Sequence, residues 1–380
     1  MKRVLIVQRV LPHYRVPFFE NLRESLAEDG VRLELAVGLP TKTDAAKRDD
    51  AHLGWAHEVH NRYIKVGRGK HVVWQPIWTF AKEAELVVVE QASRLLVNYL
   101  LLIRRRLGGP KVAFWGHGEN LDRASASRIG EAVKRRMAPR ADWWFCYTAG
   151  TARLLASAGV RREQMTVVQN AVDVRSLRAL LGAVTDSERR SLRASLGIGD
   201  GPVALSLGSI YPSKRPRYLV ESADQIQRML PGFHLVIVGD GPDRAIIDTA
   251  AVTRPWLHPV GMRTGAELVR YASIASILLN PGLVGLAVLD AFALELPMIT
   301  CDLDLHSPEI EYLTDGVNGL VLPSDATPEQ FAIEAARVSV DADLLRRLRE
   351  GCVTAASTYS IEAMVQNFRA GVVAVLSAPR

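Results

Sequence analysis

The fold is decided by one stretch in the second half of the chain, which reads Val203-Ala204-Leu205-Ser206-Leu207-Gly208-Ser209-Ile210-Tyr211-Pro212-Ser213-Lys214-Arg215. A short apolar run ends at a glycine, a loop with a lysine follows, and an amphipathic stretch, Pro216–Met229, comes next. Apolar runs that alternate with helical patterns predict parallel strands that helices cover on both faces. The stretch therefore predicts a strand, a loop at its carboxyl end and a crossover helix.

The same alternation occurs twice along the chain. In the first half it predicts strands at residues 4–8, 33–37, 86–90, 112–115, 143–147 and 166–168. In the second half it predicts strands at residues 203–207, 234–238, 274–279, 298–300 and 319–321. A length of 380 residues suits two domains of roughly 100–200 residues each. We therefore expect an α/β protein of two Rossmann-like, doubly wound domains, residues 1–180 and 200–358, with a polar junction over 181–199 and a ligand cleft between the carboxyl ends of their sheets.

The composition excludes several other classes of protein. The chain is 48% hydrophobic and 23% charged, which is ordinary for a soluble globular protein and unlike a disordered or coiled-coil chain. No apolar run approaches the roughly 18–20 residues of a membrane helix, and the N-terminus lacks a signal-peptide pattern. Three scattered cysteines suggest a reducing compartment and no metal site. We therefore expect a cytoplasmic protein.

The charge is concentrated in the first half. Residues 1–200 hold 33 Lys and Arg against 21 Asp and Glu, while residues 201–380 hold 14 against 20. The densest basic stretches are 104–106 and 128–140, and in the second of these Ile129, Val133 and Met137 recur at helical spacing. This pattern favours an anionic membrane surface as partner, although a solvated basic face on an ordinary helix has the same pattern. Nucleic acid is disfavoured because no recognition motif accompanies the charge.

Two segments of the second half suit a phosphorylated nucleotide. Gly208 lets a ligand approach the backbone, and Lys214 offers a point charge to phosphate. In the segment 280–292, an apolar strand is followed by a glycine-containing turn and then by a helix that begins near Gly285. The free amides at that helix start would face an anion, and Asp290 can accept hydrogen bonds from ribose hydroxyls. The alternative is a plain strand–turn–helix unit in which Asp290 only favours the helix start.

Three other features point less specifically to a ligand. The stretch 236–242 is interpreted as a tight turn, since it lacks a dinucleotide-binding fingerprint. His117 lies between two glycines after a predicted strand, which leaves it open to a ligand, and no second metal ligand is spaced suitably nearby. Asp302-Leu303-Asp304 resembles the Asp-x-Asp of metal-dependent sugar transferases, but it follows a strand of the second domain and is interpreted as a loop.

Taken together, these segments resemble family four of the retaining glycosyltransferases, nucleotide-sugar transferases with the GT-B fold. Five segments carry the resemblance: residues 167–173, 208–214, 238–242, 282–292 and 308–320. The resemblance implies a first domain that binds the acceptor, a second that binds the nucleotide sugar, and a final helix, about 360–380, that returns to the first domain. It also implies a UDP-sugar or GDP-sugar donor and no metal cofactor. The basic first half of the chain suggests a glycan or lipid-linked acceptor of the cell envelope.

The resemblance further implies roles for individual residues. Lys214 would hold the donor diphosphate, Asp290 the ribose, and His117 the donor sugar. The residues implied to bind the nucleotide are Gly208, Ser209, Lys214, Arg215, Met262, Arg263, Gly285, Leu286 and Asp290. Among them, Met262 and Arg263 would frame the base, and Gly285 and Leu286 would present backbone amides to phosphate.

The chain departs from the family at two positions. Gly282 stands where the family has the first Glu of its Glu-x7-Glu pair, and Ser209 stands where an Arg often precedes the Lys, with Arg215 as a substitute charge. We expect backbone groups of Gly282, Leu283 and Val284 to replace the missing carboxylate, so that these three act in catalysis with His117 and Lys214. The alternatives are another GT-B enzyme, such as a nucleotide-sugar epimerase, and a non-catalytic nucleotide-sugar binder.

Overall fold

The chain forms two compact units, each built on a parallel sheet. The computed structural model describes residues 1–41, 51–66, 71–118, 135–304 and 306–379. One unit comprises Met1–Asp173 together with Ile361–Arg380, and the other comprises Val174–Ser360. Both are doubly wound α/β structures, so the predicted fold class is confirmed for each half. Among the described residues, no helix is long and apolar enough to cross a bilayer.

The first unit is organised around a seven-stranded parallel sheet. The described strands of the whole unit are β1 (Lys2–Gln8), β2 (Val31–Gly38), β3 (His57–Val59), β4 (Arg62–Lys65), β5 (His71–Trp74), β6 (Leu86–Glu90), β7 (Lys111–Gly116), β8 (Trp143–Cys146) and β9 (Met165–Val167). Its described helices before the second unit are α1 (Val16–Glu28), α2 (Trp78–Ala81), α3 (Leu96–Arg106) and α4 (Ala149–Ser157). The strand order is β3-β2-β1-β6-β7-β8-β9, and β4 and β5 form a separate antiparallel pair.

The second unit has a six-stranded parallel sheet. Its described strands are β10 (Val203–Leu207), β11 (His234–Val238), β12 (Leu257–Gly261), β13 (Ile277–Leu279), β14 (Met298–Cys301) and β15 (Gly319–Leu322). Its described helices are α5 (Arg175–Ala183), α6 (Asp186–Ser195), α7 (Pro216–Met229), α8 (Arg244–Ala251), α9 (Gly265–Ala272), α10 (Ala287–Ala293), α11 (Pro328–Val340) and α12 (Ala342–Thr358). The order β12-β11-β10-β13-β14-β15 is that of a Rossmann sheet. All strands are parallel, and the order in which the chain adds strands changes direction between β10 and β13.

The last helix, α13 (Ile361–Ser377), belongs to the first unit. The Phe368 ring stacks on that of Phe145 with centroids 4.0 Å apart. Gly371 lies so close to β8 and β9 that a Cβ there would be 2.6 Å from the Phe145 ring and from the Thr166 hydroxyl. The Arg369 guanidinium pairs with the Asp29 carboxylate at 2.6 Å. Both apolar contact and an ion pair therefore fix this helix to the first unit.

The segment predicted as a junction, 181–199, is mostly helical. It contains α6, which Thr185 and Glu188 cap reciprocally at its N-terminus. Its polar composition has a simple reason, because the helix buries only Leu192. The division between the units lies earlier than residues 181–199, between Asp173 and Val174.

Candidate active site

The candidate site of the second unit lies at the carboxyl ends of β10 and β13. These neighbouring strands flank the point where the strand order reverses, which is where open α/β sheets bind ligands. A pocket there is lined by Gly208, Ser209, Lys214 and Asn280, among others. Gly208 has a φ of +121°, a conformation that side chains strongly disfavour. The sequence stretch that predicted the fold thus forms one wall of a pocket.

Lys214 ends a short 3₁₀ turn, Pro212–Lys214, after β10. Its Nζ donates a hydrogen bond to the Leu283 carbonyl oxygen at 2.5 Å. Burial lowers the pKa of the Lys214 ammonium from 10.5 to about 8. Within the described parts of the chain, no carboxylate forms an ion pair with it. A half-buried cation whose partner is only a neutral carbonyl is a favourable place for an anionic ligand.

Gly282 is explained by a close approach of two backbone segments. A Cβ at this position would lie 2.4 Å from the carbonyl carbon of Lys214 and 2.5 Å from its Cα. The Leu283 N–H donates to the Ser213 carbonyl at 2.8 Å, and the Arg215 guanidinium donates to the Pro281 carbonyl at 3.3 Å. The family's glutamate does not fit here without moving one of the segments.

The backbone amides of this turn are partly occupied. The Leu283 N–H is taken by Ser213, and the Val284 N–H donates to His306 Nδ1 at 2.9 Å. The sequence predicts that backbone groups of Gly282, Leu283 and Val284 replace the family's carboxylate. The N–H groups of Leu283 and Val284 are bonded within the protein and hold the turn in place. The N–H groups of Gly285 and Leu286 have no hydrogen-bond partner among the described residues. They precede α10, as the predicted phosphate contact requires.

Asp290 lies on α10, half-buried, and its carboxylate makes no hydrogen bond or ion pair within the described residues. Burial raises the pKa of the Asp290 carboxyl from 3.8 to about 6. A desolvated carboxylate without protein partners gains by accepting hydrogen bonds from a ligand, since unsatisfied buried acceptors cost free energy. Its environment is consistent with the ribose contact that the sequence predicts.

The remaining predicted nucleotide residues differ in setting. The Arg215 guanidinium lies 4.0 Å from the centre of the Tyr218 ring and also donates to the Pro281 carbonyl of the turn. Ser209 is exposed. Met262 is 63% exposed after β12, two strands from β10, and Arg263 pairs with Glu267 at 3.6 Å. No described contact joins Met262 or Arg263 to Lys214.

His117 lies in the first unit, directly after β7. Its ring meets the Tyr147 ring edge-on, with centroids 4.2 Å apart. The following residue, Gly118, has a φ of +81°, and its carbonyl accepts a hydrogen bond from Gln91 at 3.1 Å. Because Gly116 and Gly118 carry no side chains to cover it, the imidazole remains half-buried at the end of the strand.

Two residues near Lys214 were not singled out by the sequence. Asn280 is buried, and its Nδ2 donates to the Leu283 carbonyl at 3.3 Å. His306 lies on the loop after β14 and bonds to Val284. Asp302 and Asp304 are exposed on the same loop. Among the described residues, no group of three or more His, Cys, Asp or Glu side chains is arranged to hold a metal ion.

Solved structures of similar fold are known. The Anabaena protein HepE, solved in complex with UDP, has a TM-score of 0.71 at 15% identity, covering 98% of this chain and 100% of that chain. The lipopolysaccharide outer core galactosyltransferase WaaB has a TM-score of 0.68 at 16% identity, covering 98% of this chain and 99% of that chain. At this level of identity, the likeness establishes the GT-B fold.

The curated relatives match this chain over only part of their length. Alpha-D-kanosaminyltransferase of Streptomyces kanamyceticus is 28% identical over 188 residues, which are 48% of this chain and 48% of the relative. D-inositol 3-phosphate glycosyltransferase of Nocardia farcinica is 27% identical over 247 residues, 60% of this chain and 52% of the relative. The chain thus spans about half the length of the curated relatives it matches.

Two family sequence models match, one in each unit. The model for Glycosyltransferase Family 4 matches residues 18–176, and the model for Glycosyl transferases group 1 matches residues 201–341. These matches agree with the resemblance that the sequence motifs carry. The chain therefore carries a Glycosyltransferase Family 4 domain in its first half and a Glycosyl transferases group 1 domain in its second half.

Proposed function

We propose that the protein is a retaining glycosyltransferase that moves a sugar from a UDP-sugar or GDP-sugar to a hydroxyl of a lipid-linked or cell-envelope glycan. The observation that carries the proposal is Lys214, a half-buried cation at the switch point of a Rossmann sheet whose hydrogen-bond partner among the described residues is a neutral carbonyl. Burial lowers the pKa of its ammonium to about 8, which disfavours the charged form in the absence of an anion. A donor diphosphate supplies the missing negative charge.

The chemistry follows from the charge that develops in the reaction. As the glycosidic bond to the diphosphate breaks, negative charge grows on the leaving phosphate, and the sugar gains oxocarbenium character. Lys214 and the amides of Gly285 and Leu286 are fixed before the reaction and stabilise that charge. The acceptor hydroxyl attacks from the same face as the leaving group and gives its proton to the departing phosphate, which retains the configuration. Since the protein itself supplies the positive potential, we propose that transfer is independent of a metal, so chelator leaves the rate unchanged.

We propose the remaining donor contacts from the resemblance to the family. Asp290 accepts hydrogen bonds from the ribose hydroxyls, Met262 and Arg263 frame the base, and His117 contacts the donor sugar. The assignment of Asp290 is supported by its uncompensated carboxylate, and that of Met262 by an exposed apolar side chain at a strand end.

The test is acceptor-dependent release of nucleoside diphosphate from a panel of sugar nucleotides, with the most active donor chosen for variants. Lys214→Ala removes one charge-stabilising donor, so we expect turnover to fall by about two orders of magnitude. Lys82→Ala is the matched control, because Lys82 is an exposed lysine of the first unit. Equal turnover of wild type and Lys214→Ala would reject the diphosphate role.

The same donor panel separates the alternatives. An epimerase would convert the sugar nucleotide without acceptor, which an NMR time course of donor alone detects. A non-catalytic binder would raise the melting temperature with nucleotide but give neither transfer nor hydrolysis. The close approach at Gly282 gives the glycine a packing reason, so its presence is not an argument for the non-catalytic binder.

We further propose that the first unit associates with an anionic membrane surface through α3. Leu100, Ile103 and Leu107 form an exposed apolar stripe, with exposures of 38%, 55% and 77%. The Arg104 guanidinium lies 4.7 Å from the centre of the Trp78 ring, which is also exposed. An exposed apolar stripe beside arginines and an aromatic ring is typical of interfacial helices.

Positive charge predominates around this stripe in the sequence, although the Arg105 guanidinium of α3 pairs with the Asp142 carboxylate at 2.6 Å. Residues 91–118 contain no Asp or Glu and carry four arginines and one lysine. Arg135 and Arg136 are also exposed, whereas Ile129 and Val133 of the other predicted basic stretch lie outside the described residues. Such a surface suits the anionic headgroups that surround a lipid-linked acceptor.

Sedimentation with phosphatidylglycerol and phosphatidylcholine vesicles tests this surface. We expect binding to phosphatidylglycerol only, and a loss of binding of roughly tenfold or more for Ile103→Glu. Val252→Glu is the control, because Val252 is 83% exposed in the second unit. Equal binding of Ile103→Glu and wild type would contradict the assignment of α3.

A further inference from the structure

His306 joins two loops that border the candidate site. It lies on the loop after β14, and its half-buried ring reaches the turn between β13 and α10. Nδ1 accepts a hydrogen bond from the Val284 N–H at 2.9 Å, and Nε2 lies 2.7 Å from the Cys301 carbonyl oxygen. Both ring nitrogens are therefore committed to backbone groups of the protein.

These contacts define the protonation of the ring. Nδ1 faces an N–H donor and so carries no proton, whereas Nε2 faces a carbonyl and carries one. The Leu303 N–H also lies near Nε2, at 3.2 Å. Two N–H groups thus point toward the imidazole, and an added proton would oppose the Val284 N–H directly.

The charges around the ring and its burial agree with a neutral histidine. Burial lowers the pKa of His306, and the cation of Lys214 lowers it as well. The Cys301 carbonyl and the Asp302 carboxylate act in the opposite direction. Burial is the largest of these effects, so the pKa lies below its usual 6.5 and the ring is neutral at physiological pH.

Val284 is held through both of its backbone polar groups. Its N–H is bonded to His306, and its carbonyl accepts a hydrogen bond from the Ser307 N–H at 2.9 Å. On the other side of the turn, Leu283 is held by Ser213 and Lys214. The turn is thus clamped between the loop after β10 and the loop after β14, and the histidine is the side chain that closes the second clamp.

We propose that His306 is a positioning residue that fixes the turn at Leu283 and Val284 against Lys214, and thereby sets the donor diphosphate site. This inference rests on the proposed function for its catalytic consequence, although the clamp itself is independent of activity. Neither ring nitrogen is available to a substrate, so His306 acts through Val284. The turn contains Gly282 in place of a glutamate, so its position depends on backbone bonds of this kind.

The experiment uses three substitutions that separate the two ring nitrogens. His306→Asn keeps an acceptor oxygen near the position of Nδ1, His306→Gln keeps a donor near the position of Nε2, and His306→Ala keeps neither. His60→Ala serves as control because His60 is exposed in the first unit. For each variant, the KM for donor, kcat and amide hydrogen exchange at Val284 are measured on the full chain.

We expect His306→Ala and His306→Gln to raise the KM for donor about tenfold and to accelerate exchange at Val284, the scale of losing one buried hydrogen bond. We expect His306→Asn and His60→Ala to stay within about twofold of wild type in both measurements. The inference is overturned if His306→Ala changes neither measurement, or if His306→Asn is as impaired as His306→Ala.

Hydrogen exchange distinguishes a failure of this inference from a failure of the proposed function. If the wild type neither binds nor turns over any sugar nucleotide, the donor role fails for both. The clamp is then judged from exchange alone. Faster exchange in His306→Ala than in His306→Asn would uphold the clamp, and equal exchange would reject it.

Discussion

Replacing Gly282 by alanine is the most specific perturbation of the candidate site. The added Cβ would lie 2.4–2.5 Å from three backbone atoms of Lys214, where ordinary contacts begin at 3.4 Å. The turn and the 3₁₀ segment must therefore separate by about 1 Å. The hydrogen bond from Lys214 Nζ to the Leu283 carbonyl, now 2.5 Å, would not survive that shift in its present geometry.

Two magnitudes follow from this separation. Overpacking of this kind costs roughly 1–3 kcal/mol of the free energy of unfolding. A displacement of about 1 Å in groups that position a substrate costs about a hundredfold in kcat/KM. Gly282→Glu, which restores the family's carboxylate, should be at least as impaired as Gly282→Ala because it introduces the same Cβ.

Chemical denaturation and donor kinetics measure the two effects. Gly182→Ala is the matched control, since a Cβ at this glycine of α5 meets nothing within 4 Å. Gly285→Ala tests the same turn more mildly, because its Cβ would lie 3.5 Å from the Ser307 hydroxyl. Higher activity in Gly282→Glu than in Gly282→Ala would refute the steric explanation and show that the position lacks only a carboxylate.

Other predictions concern protonation and packing. The pKa of Asp290 is raised to about 6, so the folded state holds its proton more tightly than the unfolded state and stability falls as the pH rises from about 4 to 6. Asp290→Asn should therefore raise the free energy of unfolding by about 3 kcal/mol at pH 7.5 and leave it nearly unchanged at pH 4, while weakening nucleotide binding. An equal change in stability at both pH values would contradict this. The pKa of His258, whose Nε2 lies 2.8 Å from His234 Nδ1, is lowered to about 4 by burial, so the unfolded state takes up the proton first and stability falls from pH 6.5 toward 4. His258→Gln should flatten thermal unfolding profiles over that range, and an unchanged profile would reject the assignment. Gly371→Ala should cost about 1–3 kcal/mol in denaturant unfolding, because its Cβ meets Phe145 and Thr166; a cost near zero would show that α13 moves freely.

The central strands were predictable because they are buried on both faces. β10 and β11 occupy the predicted residues without error, since continuous apolar runs leave few alternatives. β12 (Leu257–Gly261) was missed because an edge strand that contains His258 and Pro259 lacks such a run. The residues of α6 were predicted as part of a polar junction and not as a helix, because this helix buries only Leu192. Elements with little buried surface leave a weak pattern in the sequence.

The candidate site was only partly predictable, for a different reason. Lys214 and Asp290 were found because strand ends and helix starts concentrate phosphate-binding groups. Gly282 was interpreted as a lost carboxylate, whereas the structure shows a close approach to Lys214 that no local pattern reveals. His306 was missed because its hydrogen bond reaches Val284, 22 residues away, through a backbone N–H. Contacts between loops depend on the folded backbone.

The diphosphate role of Lys214 is tested most directly by calorimetric titration of UDP and uridine, or GDP and guanosine, into wild type and Lys214→Ala. The ratio of the two affinities isolates the contribution of the diphosphate, because the base and ribose are common to both ligands. We expect this ratio to fall by about tenfold or more in Lys214→Ala, the scale of a charge-assisted hydrogen bond, with nucleoside affinity unchanged. An unchanged ratio would contradict the assignment of Lys214 to the leaving group.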